Sequence, residues 1–99
     1  MPVPPFFAQG GARDNGRMAS PDVWTEIQDA RARAHAKHGD NSIERVPADD
    51  PRWFAILVEE IGEVARAQTY DGDADLRAEL IDVLAVASAW VDALDEQAE

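Results

Sequence analysis

The chain has 99 residues, no cysteine, and a formal net charge of −11 at pH 7 from 20 acidic residues against nine lysines and arginines. A chain of this length forms one domain with a limited core, and the absence of thiols excludes a disulfide framework and a thiolate zinc site. The charge argues against nonspecific binding to a nucleic-acid backbone, and an anionic small molecule would need metal ions to approach such a surface.

No apolar run approaches the ~20 residues of a membrane span, and the N-terminus lacks a basic region followed by an apolar stretch. The expectation is a cytoplasmic protein with neither membrane nor nucleic acid as a partner. Residues 1–19 are rich in Pro, Gly, Ala and small polar residues, with Gly10-Gly11 and Asn15-Gly16 as breakers and no regular period. They are expected to be a flexible N-terminal tail ahead of a folded domain over residues 20–99.

The first helix is expected to open at Ser20 as cap, with Pro21 at the first helical position and Asp22 and Glu26 favouring the N-terminal dipole. Val23, Ile27, Ala30 and Ala34 follow a three-and-four spacing that marks its inner face, while Arg31 and Arg33 point elsewhere. The helix reaches Lys37 or His38, and Gly39 stops it. From Gly39 to Asp50 there is no period, so a loop is expected, ending where Asp49 or Asp50 caps the next element.

Pro51 begins helix two, which continues through Trp53, Phe54, Leu57, Ile61, Val64 and Ala65 to about Thr69 and ends at Tyr70-Asp71-Gly72. Helix three, capped by Asp73, runs from Ala74 towards Leu94 with Leu76, Leu80, Val83, Leu84, Ala87 and Val91 on one stripe, and the last five residues are expected to fray. Nothing alternates like a strand, so the fold class is all-α.

Val83 to Val91 contains no charge on any face, and a helix that is apolar all round is buried. One three-helix protomer, built on a short helical hairpin, cannot surround such a helix. A second copy is therefore expected to cover it, completing a four-helix-type bundle as a homodimer or homotetramer.

Helices two and three each carry a pair of acids, Glu60 with Glu63 and Glu79 with Asp82. Residues three apart share a helix face, so each pair sets like charges side by side at a cost of about 0.2–0.5 kcal/mol unless something offsets it. Glu79 falls on the side of Val86 and Trp90, and Asp82 beside Ala78, Val86 and Ala89. On helix two, Ile56, Glu60, Glu63 and Ala67 form one line, with Glu59 and Arg66 opposite. Carboxylates set into packed surfaces stay ionised when a cation partners them, and the hard cation Mg²⁺ commonly bridges carboxylates and substrate phosphates.

The strings Leu57-Val-Glu-Glu-Ile-Gly-Glu-Val-Ala65 and Leu76-Arg-Ala-Glu-Leu-Ile-Asp-Val-Leu84, with fifteen residues between the two acidic pairs, resemble the MazG-like all-α nucleoside triphosphate pyrophosphohydrolases. The resemblance spans about Pro21 to Leu94. The stretch Arg31-Ala-Arg-Ala-His-Ala-Lys-His-Gly-Asp-Asn-Ser42 is similar to MazG-like proteins of actinobacteria and their phages. The resemblance implies Mg²⁺, with Mn²⁺ as a substitute, held by Glu60, Glu63, Glu79 and Asp82. It also implies cleavage of a (d)NTP to a (d)NMP and pyrophosphate by an oligomeric enzyme. By motif offset, Tyr70 falls where related dCTP pyrophosphatases carry a base-stacking aromatic.

In the mechanism these residues suggest, the cations offset the triphosphate's charge and make a water more acidic, while Glu59 or Glu63 takes its proton. Lys37, the single lysine, is a candidate phosphate contact or an ordinary C-terminal helix cation. Arg52 and Arg77 are weaker phosphate candidates, each also suited to a surface ion pair. Trp53 can stack on a base or pack in the core, Trp24 and Trp90 suit packing, and Asn41 can read a base edge or shape the turn. His35 and His38 lack the companions of a metal motif and read as solvated. The alternative to an enzyme is a non-catalytic acidic helical module that binds nucleotide or regulates. A nucleic-acid mimic is a third reading, which leaves the two spaced acid pairs unexplained.

Overall fold

A computed structural model of the protein describes residues 21–98, so the expected tail at residues 1–19 and the Ser20 cap lie outside the described residues. Three helices make the fold: α1 (Pro21–His38), α2 (Arg52–Arg66) and α3 (Asp73–Ala98), with no strand among the described residues. Two 3₁₀ turns, Gly39–Asn41 and Ile43–Arg45, lie between α1 and α2, and a π-helical turn, Ala67–Asp71, extends α2. No described helix is long and apolar enough to cross a membrane.

The chain punctuation acts where the residue chemistry demands it. Gly39 ends α1 at φ 55°, a left-handed conformation that a side chain disfavours. Of the two aspartates expected to cap α2, Asp50 does so, its Oδ1 accepting from the Arg52 backbone N–H at 2.8 Å. Gly72, at φ 111°, closes the π-helical turn with its N–H on the Ala67 carbonyl at 3.2 Å. That short joint folds α2 and α3 into an αα-hairpin, against which α1 packs through α3. The last turn of α3 continues to Ala98 instead of fraying after Leu94.

Two apolar clusters hold the layers together. Val23, Ile27 and Ala30 of α1 meet Ile81 and Ala85 of α3, as the spacing in α1 requires. Val46 and Trp53 meet Val86 and Ala89, flanked by Ile43, Ile56, Leu57 and Trp90. The rings of Trp53 and Trp90 stack with centroids 5.8 Å apart and planes 4° from parallel. Both indoles donate to the loop before α2, Trp53 Nε1 to the Pro47 carbonyl at 2.9 Å and Trp90 Nε1 to the Ala48 carbonyl at 3.2 Å. A segment with no period of its own is thus fixed by side chains of α2 and α3.

The inner face of α3 differs from the expected stripe. Ile81, Ala85, Val86 and Ala89 are buried, whereas Leu80, Leu84 and Val91 are exposed. The same exchange occurs on α2, where Trp53 is buried and Phe54 and Ile61 face outward. Both helices are apolar on two sides. The protomer uses the side of α3 where Ala85 and Ala89 let the neighbouring helices approach closely. Trp24, expected to pack, is 55% exposed.

Candidate metal centre

In the α2–α3 hairpin Glu60 comes level with Glu79 and Asp82. One carboxylate oxygen from each of the three lies within 4.8 Å of the others. All three side chains are half-buried, while Glu63 is exposed at the rim and outside this set. The line along α2 that turns inward is Trp53, Ile56, Leu57, Glu60, Val64 and Ala67. Glu63 sits about 60° round the helix from Glu60, which is enough to bring it out of that line.

The electrostatics follow from this crowding. Burial and the neighbouring Asp82 and Glu79 push the Glu60 carboxyl above the ordinary carboxylate range, with smaller contributions from Glu59 and Glu63. Glu79 is raised by burial, then by Asp82, Glu63, Asp75 and Asp71. Asp82 is raised by burial, while the Arg33 guanidinium pulls it the other way. Three clustered oxygen donors that resist ionisation for want of positive charge make a donor set suited to a hard divalent cation. Asp71, Asp75 and Arg33 were not singled out as site residues from the sequence. Asp71 and Asp75 flank the helix joint, and Arg33 lies four residues before Lys37, so helical spacing carries that part of the signal.

A cavity of about 330 Å³ adjoins the acids. Its lining joins Glu60 of α2 and Asp82 of α3 with Arg31, Arg33, Lys37 and His38 of α1, and with apolar Ala30, Ala34, Ala85 and Val86. Lys37, proposed from sequence as a phosphate contact, therefore lines the same cavity as two of the three acids. Among the described residues the ion pairs engage Arg31, Arg52 and Arg77 but neither Arg33 nor Lys37.

The remaining sequence candidates take varied places. Trp53 is 0% exposed, and its stacking on Trp90 closes the ring to a base, so its packing role is the one realised. Tyr70 stands in the π-helical turn, 80% exposed. Asn41 is exposed in the first 3₁₀ turn, and Glu59 is exposed on the outer side of α2. Arg52 pairs with Asp50 at 2.7 Å and Arg77 with Glu26 at 2.6 Å, the surface ion-pair role the sequence also offered. His35 is less solvated than expected, since its Nδ1 lies 2.6 Å from the hydroxyl of the buried Ser42.

Arg31 does not simply point into solvent. Its guanidinium donates to both Glu44 carboxylate oxygens at 2.9 and 2.7 Å and to Asp92 at 2.7 Å, tying α1 to the second 3₁₀ turn and to α3. The α1 part of the cavity lining is held in place by this clamp. Comparison of the chain with protein-family models, with curated proteins and with solved structures finds no match.

Proposed function

We propose that the protein is a Mg²⁺-dependent nucleotide pyrophosphohydrolase of the MazG-like kind, cleaving a (d)NTP to a (d)NMP and pyrophosphate as a homo-oligomer. The observation that carries this reading is the convergence of Glu60, Glu79 and Asp82 oxygens within 4.8 Å, beside a cavity lined also by Arg33 and Lys37 of α1. A site lined by both acids and cationic side chains suits an anion that arrives with its own divalent cation.

Glu60, Glu79 and Asp82 would hold the cation, which when bound supplies positive charge to the phosphates and makes a coordinated water more acidic. Of the two proton acceptors offered by the sequence, both exposed, we assign the role to Glu63, which lies one helical turn from Glu60 on α2. In the reaction, water adds to phosphorus as the α–β phosphoanhydride bond breaks, Glu63 takes the proton, and pyrophosphate departs. Lys37 contacts the phosphates from α1, and Tyr70 offers an open aromatic face to a base.

The oligomer is supported by the apolar surface left over after the protomer has packed. Phe54, Val58 and Ile61 on α2, and Leu80, Leu84, Val91 and Leu94 on α3, are all exposed. Both sets follow the four-three spacing of a helix-bundle seam. A second copy laid over these stripes would complete the bundle.

The test is a panel of nucleoside triphosphates with Mg²⁺, assayed for pyrophosphate release by the wild type, Glu60→Gln and Glu79→Gln. Pyrophosphate formed by the wild type and lost in both variants supports the reading. Release of orthophosphate, or variants as active as the wild type, would exclude it.

A further inference from the structure

Arg33 occupies a position that the other cations of α1 do not. It lines the 330 Å³ cavity together with Glu60 and Lys37, and it also lines a second cavity of about 290 Å³ on the other side, bounded by Glu26, Asp29 and Arg77. Asp82 is on the wall of both. Arg33 and Asp82 therefore form the partition between two openings. In the second cavity Arg77 is held by Glu26 through two short hydrogen bonds, 2.7 and 2.6 Å, whereas Arg33 has no ion pair of its own among the described residues.

Resting on the metal-centre reading above, we propose that Arg33 is a positioning residue that exchanges partners, offsetting Asp82 while the centre is empty and turning to the polyphosphate of the ligand when a divalent cation takes its place. The chemistry of the side chain suits both halves. A guanidinium is always charged and presents forked donors that match carboxylate and phosphate alike. As a long exposed side chain in α1 it can reach either partner by rotamer change alone. Arg33 and Asp82 share the lining of both cavities, so the two opposite charges stand side by side there without a direct ion pair among the described residues.

The consequence is a coupling between two ligands. A cation arriving alone must displace or coexist with Arg33 and binds weakly. One that arrives with a polyphosphate gives the guanidinium an alternative anion and binds well, so each ligand raises the other's affinity by the same factor. Lys37, one turn further along the same face of α1, lines the 330 Å³ cavity but not the second one and contributes to the anion side only. The site would thereby favour the metal complex of a triphosphate over the free cation and over a monophosphate product, which offers fewer oxygens to the α1 wall.

The experiment is calorimetric titration of the full chain, as wild type, Arg33→Gln, Arg33→Lys and Lys37→Gln, with Mn²⁺ alone and then with inorganic tripolyphosphate at saturating Mn²⁺. Arg33→Gln is expected to bind Mn²⁺ about two- to fivefold more tightly, the scale of an exposed charge pair, and tripolyphosphate about tenfold more weakly. Lys37→Gln is expected to leave Mn²⁺ affinity unchanged and to weaken tripolyphosphate, and Arg33→Lys to restore most of the wild-type Mn²⁺ value. Opposite signs in one variant do not arise from a damaged fold. Wild-type binding of Mn²⁺ that Arg33→Gln leaves unchanged or weakens would overturn the exchange and spare the metal centre. A wild type that binds no Mn²⁺ would overturn both.

Discussion

Each proton taken up by Glu60, Glu79 or Asp82 relieves a cost that the folded chain imposes and the unfolded chain does not: burial first for all three, then neighbouring carboxylates for Glu60 and Glu79. Their folded pKa values are raised, so the folded state binds more protons than the unfolded one above the ordinary carboxylate value of about 4. The cation-free protein should therefore lose stability as pH rises from that value towards neutrality. Glu26 and Asp50 are shifted downward by Arg77 and Arg52, so what they contribute is present above the ordinary range and is lost as the pH falls below it. These are exposed pairs worth little each, and their window lies on the acid side of the other. Thermal melts between pH 4.5 and 7.5, values chosen to bracket the region above about 4, should show a falling midpoint without Mg²⁺ and a flat or rising one with it, because the cation binds the ionised form. Glu60→Gln should flatten the metal-free profile, abolish the Mg²⁺ effect and lower pyrophosphate release by about 100-fold or more, since even groups behind a metal ligand are worth about 10- to 100-fold. A metal-free midpoint that rises with pH through this range would show that the folded chain does not hold these carboxyls above their ordinary range.

At the scale of elements, the segment between α1 and α2 is held by long-range contacts that no local pattern announces. Ser42 accepts from the Glu44 N–H at 3.2 Å while its hydroxyl meets His35 at 2.6 Å, and it is buried to 1%. Ser42→Ala leaves two groups without that partner and should destabilise the protein by about 1–2 kcal/mol. Arg31→Ala, which strands Glu44 and Asp92 and empties a part-buried site, should lose about 1–3 kcal/mol. Urea titrations followed by the fluorescence of the stacked Trp53–Trp90 pair measure both, and equal stability of Arg31→Ala and wild type would reduce the clamp to a surface contact. The helices themselves were legible because their ends carry distinct chemistry. Gly39, Asp50 and Gly72 each satisfy a local backbone demand that is visible in one residue type. Which face of α2 and α3 turns inward was not legible. Periodicity groups Leu80, Leu84 and Val91 correctly as one stripe, but when both sides of a helix are apolar it does not say which side the protomer buries. The acid cluster was legible as to Glu60, Glu79 and Asp82. Glu63 stands outside that set of three because three residues of spacing still turn the helix by about 60°, and the place of Arg33 beside Asp82 was not legible because it is set by how α1 packs on α3.

The whole molecule leaves unresolved a tension that its own sequence creates. An 8-residue span of α2 and a 15-residue span of α3, counting from Phe54 to Ile61 and from Leu80 to Leu94, present large apolar side chains to water, whereas monomers keep such patches to a few hundred Å². Gly62 adds to the tension. It lies mid-helix, where glycine costs about 1 kcal/mol relative to alanine, yet a Cβ built there meets nothing within 4 Å, so nothing inside the protomer requires it. A neighbouring helix approaching α2 closely would supply the reason. The expected behaviour is an assembly that persists on dilution and comes apart when a charge enters the seam. Ile61→Asp and Leu84→Asp change residues that are 51% and 43% exposed in the protomer. Each should therefore leave the helical circular dichroism of the separated chain largely intact while sedimentation velocity shifts from oligomer to monomer. Gly62→Ala should instead raise helix stability in a monomer and weaken association wherever a partner helix occupies the open space. Should the wild type sediment as a monomer, and should Leu84→Asp change neither its mass nor its melting temperature, the exposed stripes would need an occupant other than a second copy of this chain.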